Sequence, residues 1–277
     1  LSPLIPPPNS GQPLPSSPFT HHWRVRRSER RRSTGAKICV NPPIAGTVGE
    51  FAEGYAQEVD FTGDGSFGLR VEGFRDDCAG VGYYSVNVQR QEGEQWVTVQ
   101  HVQTSDASRE MTIAGLTQPG LHRSRVCAVS VTGLTHNSSC ASTDGLYFDT
   151  SPPVRGDLCV VSGGLDITCA AESTLYVSAS GAMLRWRDFY DPDSPVSSFK
   201  WALGSARGLG DLQTWTAVGL TTQDALPLMS TSASPVYAMV VCTNLAGLST
   251  NASRHIVFDF TPPTFEVVPF AAVTWPA

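Results

Sequence analysis

The sequence predicts an all-β protein made of two tandem antiparallel β-sandwiches that follow an N-terminal tail. The first observation is a repeated ending, in which Phe148–Pro153 (FDTSPP) recurs about 110 residues later as Phe258–Pro263 (FDFTPP). A weaker version, Cys39–Pro43, lies about 110 residues before the middle one. Proline lacks an amide donor and moves the preceding residue out of the α region, so each proline pair ends one element and stiffens the start of the next. A repeat of this length fits one β-sandwich, which takes roughly 100 residues.

The second observation is that the segments between the proline pairs align in the same order. Residues 122–134 align without a gap with residues 236–248, and residues 69–76 align with residues 184–191. Identity is low, but the pattern of apolar and polar positions agrees. Aligned blocks in the same order, together with the proline pairs, indicate an internal duplication.

The third observation is the strand pattern, because short segments bounded by Gly, Pro, Asp and Ser begin near residue 38 and no long helical periodicity is present. Alternation in one of them predicts that Val126 and Ala128 point inward while Arg123 and Arg125 point outward. In the second copy the predicted inward side chains are Val236, Ala238, Val240 and Cys242. Strands of the first module are predicted near residues 67–74, 82–90, 95–103, 109–115, 121–131 and 143–149.

These signals predict four regions. Residues 1–37 are expected to form a disordered tail, Pro-rich at first and then basic, with residues 38–151 and 152–261 as the two sandwich modules. Residues 262–277 are expected to begin a third, truncated module, so the chain is expected to be a piece of a longer protein. The basic run from Arg24 to Arg32 fits a solvated tail, and also a processing site or an arm that binds anionic glycans or a membrane.

The composition limits the kinds of partner that the chain could bind and the compartment in which it would fold. Residues 1–37 hold seven of the 19 basic side chains and one of the 25 acidic ones, so the modules are acidic, which argues against a nucleic-acid partner. No apolar run approaches the ~20 residues that cross a bilayer. Seven cysteines without a Cys-x-x-Cys pair favour an oxidising compartment, and so an extracellular or cell-surface location.

Two Asn-x-Ser tripeptides support that location. Asn137 and Asn251 each follow the aligned Gly133 or Gly247 by four residues, and both are predicted glycosylation sites on surface loops. A disulfide between Cys127 and Cys140 is predicted, because the strands on either side of the Gly133 turn would bring the two close together. Cys242, which points inward, is expected to meet Cys159 or Cys169.

One short motif suggests a binding activity. Arg155-Gly156-Asp157 is the tripeptide that adhesion proteins present to integrins from an exposed, sharply turned loop. Here it falls in the expected first strand of the second module, and Gly156 aligns with Gly46. A glycine that the local backbone requires, flanked by incidental charges, explains the tripeptide equally well.

The sequence gives little support for a metal site or for catalysis. Aspartates gather at three places where calcium could bind, but no complete calcium loop is present, so no metal site and no cofactor are predicted. The acidic positions are Asp76, Asp77, Asp149, Asp191, Asp193 and Asp259. No nucleophile elbow, His-Glu-x-x-His or phosphate loop occurs, so the chain is not predicted to be an enzyme.

Residues 42–261 resemble tandem fibronectin type III-like modules of the immunoglobulin-like β-sandwich class. The resemblance rests on Leu69 or Leu184 in the second strand, Tyr84 or Phe199 in the third, Leu116 before the penultimate strand, and the small-residue turns at 131–134 and 245–248. The family's corner tyrosine is missing at its aligned positions, which hold His122 and Val236.

The leading hypothesis is an extracellular structural or adhesion spacer array that mediates protein–protein interactions in a cell-surface or matrix glycoprotein. Its expected partners are other proteins, with glycans as a second class. The alternative is a set of non-catalytic accessory modules, carbohydrate-binding or spacer, of a secreted enzyme.

Overall fold

The computed structural model describes residues 38–52, 57–105, 109–162, 165–167, 169, 174–177, 182–227 and 236–258. The predicted tail, the predicted third module and Asp259 lie outside these residues. No helix among the residues described is long and apolar enough to cross a membrane.

The first sandwich packs two antiparallel sheets face to face. One sheet has the strand order β1-β3-β6, and the other has the order β2-β9-β7-β4-β5, with β8 also on β7 and a parallel contact between β2 and β9. Its strands are β1 (Thr47–Phe51), β2 (Phe61–Thr62), β3 (Phe67–Glu72), β4 (Val81–Glu92), β5 (Gln95–Ser105), β6 (Glu110–Ile113), β7 (Gly120–Ser130), β8 (Cys140–Ser142) and β9 (Leu146–Phe148).

Alternating apolar residues of both sheets fill the first core. Phe67, Leu69 and Val71 of β3 are buried, while the residues between them are partly exposed, as expected for a half-buried strand. Val126 and Ala128 of β7 are fully buried, which confirms the predicted face of that strand. The remaining buried members are Tyr84, Val86, Val88, Ile113, Leu116, Leu146 and Phe148.

The second sandwich repeats the strand order of the first. Its sheets run β11-β10-β13-β16 and β12-β18-β17-β14-β15, and β12 pairs parallel with β18 as β2 does with β9. Its strands are β10 (Asp157–Ser162), β11 (Leu165–Ile167), β12 (Leu175–Val177), β13 (Met183–Arg187), β14 (Val196–Gly204), β15 (Gln213–Gly219), β16 (Gln223–Ala225), β17 (Val236–Asn244) and β18 (Ser249–Phe258). Val236, Ala238, Val240 and Cys242 are all buried, as the alternation predicts.

The matching topologies establish the fold. Apart from the added β11, each strand of the second copy has a counterpart in the first with the same neighbours, and β18 corresponds to β8 and β9 together. Three strands facing a larger sheet built on two central strands is the fibronectin type III-like arrangement of the immunoglobulin-like sandwich. The chain therefore contains tandem modules of this kind. The module limits, 38–151 and 152–261, stay predictions; β9 ends before the expected boundary and β10 begins after it.

One strand prediction needs correction. The strand predicted near residues 143–149 is shorter in the structure, where β9 covers Leu146–Phe148 and residues 143–145 separate it from β8. Gly145 lies between them with a φ of 113°, and a Cβ there would stand 2.7 Å from the carbonyl oxygen of His122. The backbone therefore bulges at a glycine, where the pairing with β7 shifts by one residue between β8 and β9.

Trp96 of β5 and Trp215 of β15 lie on sheet faces. Arg123 stacks over Trp96 with 4.2 Å between the guanidinium carbon and the ring centroid. Lys200 stacks over Trp215 at 5.5 Å, and that tryptophan is 40% exposed. Outward arginine and lysine side chains thus cover part of each ring.

Three disulfides are present among the described residues. Cys127 and Cys140, the pair expected from the turn, face each other in the β7–β8 register and are joined, with a Cα–Cα distance of 4.0 Å. The other two link Cys39 to Cys78 and Cys159 to Cys169. The expected pairing of Cys242 with Cys159 or Cys169 is wrong, because the short β10–β11 hairpin brings Cys169 back to Cys159 and leaves Cys242 as a buried free thiol.

Candidate functional site: the joint between the sandwiches

The segment after β9 carries a buried carboxylate at the point where the sandwiches meet. Asp149 is 0% exposed. Its Oδ1 accepts hydrogen bonds from the backbone N–H and the hydroxyl of Ser151, at 2.8 and 2.9 Å. Its Oδ2 accepts from the Ser194 hydroxyl at 2.5 Å and from the Asn244 amide at 2.9 Å. A buried carboxylate requires donors of this kind, because burial without them is very unfavourable.

Asn244, the last residue of β17, bridges two carboxylates. Its Nδ2 donates to Asp149 Oδ2 and to Asp191 Oδ2, both at 2.9 Å. Its Oδ1 accepts from the backbone N–H of Leu248 at 2.8 Å, which determines which end of the amide faces the acids. The amide therefore acts as a donor toward Asp149 and Asp191.

The loop between β13 and β14 supplies the other two acids. Asp191 Oδ1 accepts from the backbone N–H groups of Asp193 and Ser194, at 2.9 and 3.0 Å. Asp193 accepts from the Tyr147 hydroxyl at 3.1 Å, and its Oδ2 lies 2.7 Å from the Ser151 hydroxyl, whose single proton it shares with Asp149 Oδ1. Asp149, Ser151, Asp191, Asp193, Ser194, Asn244 and Tyr147 together form what we call the joint network.

Hydrogen bonding shifts the acid–base behaviour of the network. Burial alone would raise the pKa of Asp191, but the backbone donors of Ser194 and Asp193 and the Asn244 amide outweigh it and leave the pKa lowered. Burial and the hydrogen bond to Asp193 raise the pKa of Tyr147. Asp191 is therefore a carboxylate, and Tyr147 a neutral donor, at neutral pH.

The packing beside the network is also close. A Cβ on Gly63, just after β2, would stand 2.5 Å from the carbonyl oxygen of Ala246, in the turn between β17 and β18. Only a residue without a side chain allows that approach without a shift of the backbone. The first sandwich thus contacts the second through both polar and backbone groups.

The three carboxylates are close enough to raise the question of a metal. Ligand oxygens of Asp149, Asp191 and Asp193 lie within 4.8 Å of one another. Calcium takes 6 to 8 oxygen ligands. Asn244 turns its nitrogen, and not its oxygen, toward two of the acids. The arrangement is therefore a set of hydrogen-bonded carboxylates, and the structure gives no ground for proposing a cation there.

A second buried acid lies in the first sandwich. Glu50 of β1 is 1% exposed, and its Oε1 accepts from the hydroxyls of Thr143 at 2.8 Å and Ser124 at 3.2 Å. Its Oε2 is buried and has no hydrogen-bond partner. Burial raises the pKa of Glu50 to about 7, although the two hydroxyls oppose the shift.

The Arg155-Gly156-Asp157 tripeptide does not lie on a sharply turned loop. A Cβ on the buried Gly156 would stand 2.1 Å from the carbonyl oxygen of Arg187, and on the aligned Gly46 it would stand 1.9 Å from that of Glu72. Asp157 begins β10, and its Oδ1 lies 3.3 Å from Arg254 Nη2. Close backbone packing thus accounts for the glycine. Integrin-type binding stays an untested prediction that this geometry does not favour.

The two sequons have different conformations although their sequence positions match. Asn137 begins a 3-10 turn, Asn137–Ser139, between β7 and β8, and its side chain is exposed. Asn251 lies within β18, also exposed, opposite Val241. Only the first occupies a loop of the kind that was expected. Glycosylation at both asparagines stays a prediction.

No protein-family model and no curated protein matches the chain. Among solved structures, it is similar to the fibronectin(III)-like modules of Clostridium thermocellum CbhA, with 12% identity over 76% of this chain and 94% of that one, at a TM-score of 0.37. It is also similar to the FN1–FN3 domains of chicken CNTN1, with 12% identity over 77% of this chain and 68% of that one, at the same TM-score. With likeness this low, the fold assignment rests on the strand order.

Proposed function

We propose that the chain is an extracellular spacer and protein-binding segment of a longer cell-surface or matrix glycoprotein. The observation that carries the proposal is the joint network, in which Asn244 and Asp149 connect the end of one sandwich to the interior of the next. A joint stabilised by buried polar contacts holds successive modules in a defined geometry. Exposed loops and sheet faces then present binding surfaces at fixed separations.

The chemistry of the cysteines supports the extracellular location. Disulfides persist in oxidising compartments and are rare in the cytosol. Three disulfides are present in the described part of the sandwiches. Each joins cysteines that are 39 or fewer residues apart. With the two sequons, they fit a secreted or cell-surface chain whose role is structural and not catalytic. The partners would be other proteins.

The test of the joint is whether the sandwiches tumble as one body. Residual dipolar couplings of the full 277-residue chain are expected to give one alignment tensor for both sandwiches. Asn244→Ala removes a buried donor from two acids, which costs roughly 1–3 kcal/mol, and is expected to give the sandwiches separate tensors. Asn87→Ala is the control, because that side chain lies in β4 and hydrogen-bonds His101 of the same sandwich. Separate tensors in the wild type would refute the rigid spacer.

The accessory-module alternative predicts a different binding class. Trp215 presents a partly exposed ring on a sheet face, and such rings can stack on sugars. A glycan array and an extracellular protein library, probed with the same preparation, separate the two proposals. Binding to a polysaccharide that Trp215→Ala abolishes would favour the alternative, whereas a protein partner with no glycan signal favours the spacer.

A further inference from the structure

The first sequon is folded into a structure that hides part of its acceptor site. Ser139, its third residue, is 0% exposed, and its hydroxyl donates to the carbonyl oxygen of Pro43 at 2.6 Å. The backbone N–H of Ser139 donates to the carbonyl oxygen of His136 at 2.8 Å, and Asn137 Oδ1 accepts from Arg125 at 3.1 Å. An enzyme that must bind both the asparagine amide and the serine hydroxyl cannot use this conformation.

A covalent bond closes the same segment. Cys140 follows Ser139 directly and is bonded to Cys127, 13 residues earlier. The Cys140 N–H also donates to the Asn137 carbonyl, which continues the 3-10 turn into β8. Closing the disulfide therefore fixes the residue next to Ser139 and holds β8 against β7, while the Ser139 hydroxyl is bonded to Pro43.

We propose that closure of the Cys127–Cys140 disulfide ends the period in which Asn137 can be glycosylated. This inference rests on the proposed extracellular glycoprotein, since it presumes that the chain folds in the secretory pathway. The occupancy of Asn137 then depends on the redox conditions during folding, and that of Asn251 does not. Asn251 is the internal comparison, because the hairpin β17–β18 has no disulfide and holds Arg254 at the position aligned with Cys140.

The two reactions use different atoms of one segment. Glycosylation joins Nδ2 of Asn137 to C1 of a sugar, breaks the bond between that carbon and the pyrophosphate of a lipid carrier, and releases one Nδ2 proton. Disulfide closure removes two protons and two electrons from the thiols of Cys127 and Cys140, which reduce the disulfide of an oxidoreductase to two thiols. The order matters: because Asn137 is exposed, a glycosylated chain can still fold and close the bond.

The rates allow competition. At about 5–20 residues per second, synthesis passes from Cys127 to Cys140 in roughly 1–3 s. Disulfide formation takes from seconds to hours, depending on the oxidant. The sequon and the closing cysteine enter the lumen almost together, so neither reaction has a long lead.

The experiment measures occupancy at both sequons by mass spectrometry after enzymatic deglycosylation in heavy-oxygen water. The full chain is expressed in the secretory pathway of cultured cells, and secreted and retained protein are analysed together, so a variant that fails to leave the cell still reports. Cys127→Ser prevents closure and leaves the sequon and its neighbours unchanged. Cys159→Ser, which removes a disulfide of the second sandwich, is the matched control. A brief dithiothreitol pulse on the wild type is a second measurement that needs no mutation.

We expect partial occupancy of Asn137 in the wild type, rising toward that of Asn251 in Cys127→Ser and under dithiothreitol. Cys159→Ser should leave Asn137 at its wild-type occupancy. Equal occupancy of Asn137 in the wild type and in Cys127→Ser, with Asn251 occupied, would overturn the inference and leave the glycoprotein proposal standing. A rise of the same size in Cys159→Ser would also overturn it, since slow folding in general would then be the cause. No glycan at either sequon in any arm would remove both proposals.

Discussion

Replacing Glu50 with glutamine should remove a large pH dependence from the stability of the first sandwich. Glu50 is 1% exposed and lacks a partner for Oε2, and burial raises its pKa from an ordinary 4.5 to about 7. Each pKa unit between the folded and unfolded states corresponds to about 1.4 kcal/mol, so ionising Glu50 in the folded protein costs about 3 kcal/mol. Burial supplies most of that cost, and the nearby charges of Asp144 and Glu58 supply part of it.

The direction follows from which state holds the proton. Below pH 4.5 Glu50 is protonated in both states, and its full contribution to stability is present. Between pH 4.5 and about 7 the unfolded chain loses the proton while the folded protein keeps it, so the free energy of unfolding falls as pH rises. Glu50→Gln is neutral throughout and keeps an acceptor for Thr143 and Ser124. We expect the variant to match the wild type near pH 4.5 and to be more stable by up to about 3 kcal/mol at pH 8.

Hydrogen exchange of the β7 amides, measured from pH 4.5 to 8 and corrected for intrinsic exchange rates, reports on the first sandwich alone. Glu94→Gln is the control, because Glu94 is exposed in the turn between β4 and β5 and should leave the pH dependence unchanged. If Glu50→Gln lost stability with pH as steeply as the wild type, Glu50 would not be the group that titrates, and the reasoning from its burial would fail.

Two further outcomes follow from contacts described above. Gly156→Ala would place a Cβ 2.1 Å from the carbonyl oxygen of Arg187. We expect the free energy of unfolding in urea to fall by about 1–3 kcal/mol or more. The control is Arg155→Ala at the neighbouring, exposed position, which should change that free energy by less than about 0.5 kcal/mol. Because hydrogen-bond donors reach every carboxylate oxygen of the joint network, a chelator should leave the melting temperature unchanged; a fall on adding the chelator, reversed by calcium, would show that a cation is bound.

The features that local sequence predicts are those that depend on neighbours along the chain. Strand faces follow from alternation, and the approach of Cys127 to Cys140 follows from a turn between consecutive strands. The joint network does not, because Asn244 and Asp149 are 95 residues apart, and nothing in either segment specifies the other. The sequence did contain one local signal for the network. Asp149 stands two residues before a serine, and this spacing is typical of a local turn.

The burial of Glu50 could not be predicted either, because its residue type suggests the exposed face. A glutamate in a strand is normally expected on the exposed face, and alternation alone gives no reason to bury it. Its burial depends on Thr143, 93 residues away, whose hydroxyl provides a hydrogen bond. Such long-range polar contacts are set by the packing of the two sheets, which becomes known only once the strands are placed.

The loop after β3 in the first sandwich and the loop after β13 in the second have the same local hydrogen bonds. Asp76 Oδ1 accepts from the N–H groups two and three residues further on, at 2.8 and 2.9 Å. Asp191 Oδ1 does the same, at 2.9 and 3.0 Å. The aligned loops therefore keep one backbone conformation in both copies, as expected for a duplicated element.

The contact that joins this loop to the segment before the proline pair differs between the two copies. In the first, Cys39 stands three residues before the proline pair and is bonded to Cys78, two residues after the loop aspartate. In the second, the same two positions hold Asp149 and Asp193, and the Ser151 hydroxyl lies within hydrogen-bond distance of both carboxylates. A disulfide and a polar network thus occupy equivalent places in the two copies.

This equivalence makes a direct test possible. If the positions are equivalent, replacing both Asp149 and Asp193 with cysteine should give a disulfide on oxidation, with the geometry that Cys39 and Cys78 already have. We expect the oxidised double variant to keep a single alignment tensor for both sandwiches even when Asn244→Ala is added, and the reduced form to lose it. A double variant that stayed reduced in air, with both sandwiches folded, would show that the two ties only coincide in sequence. The inference that the disulfide and the polar network occupy equivalent places would then be wrong.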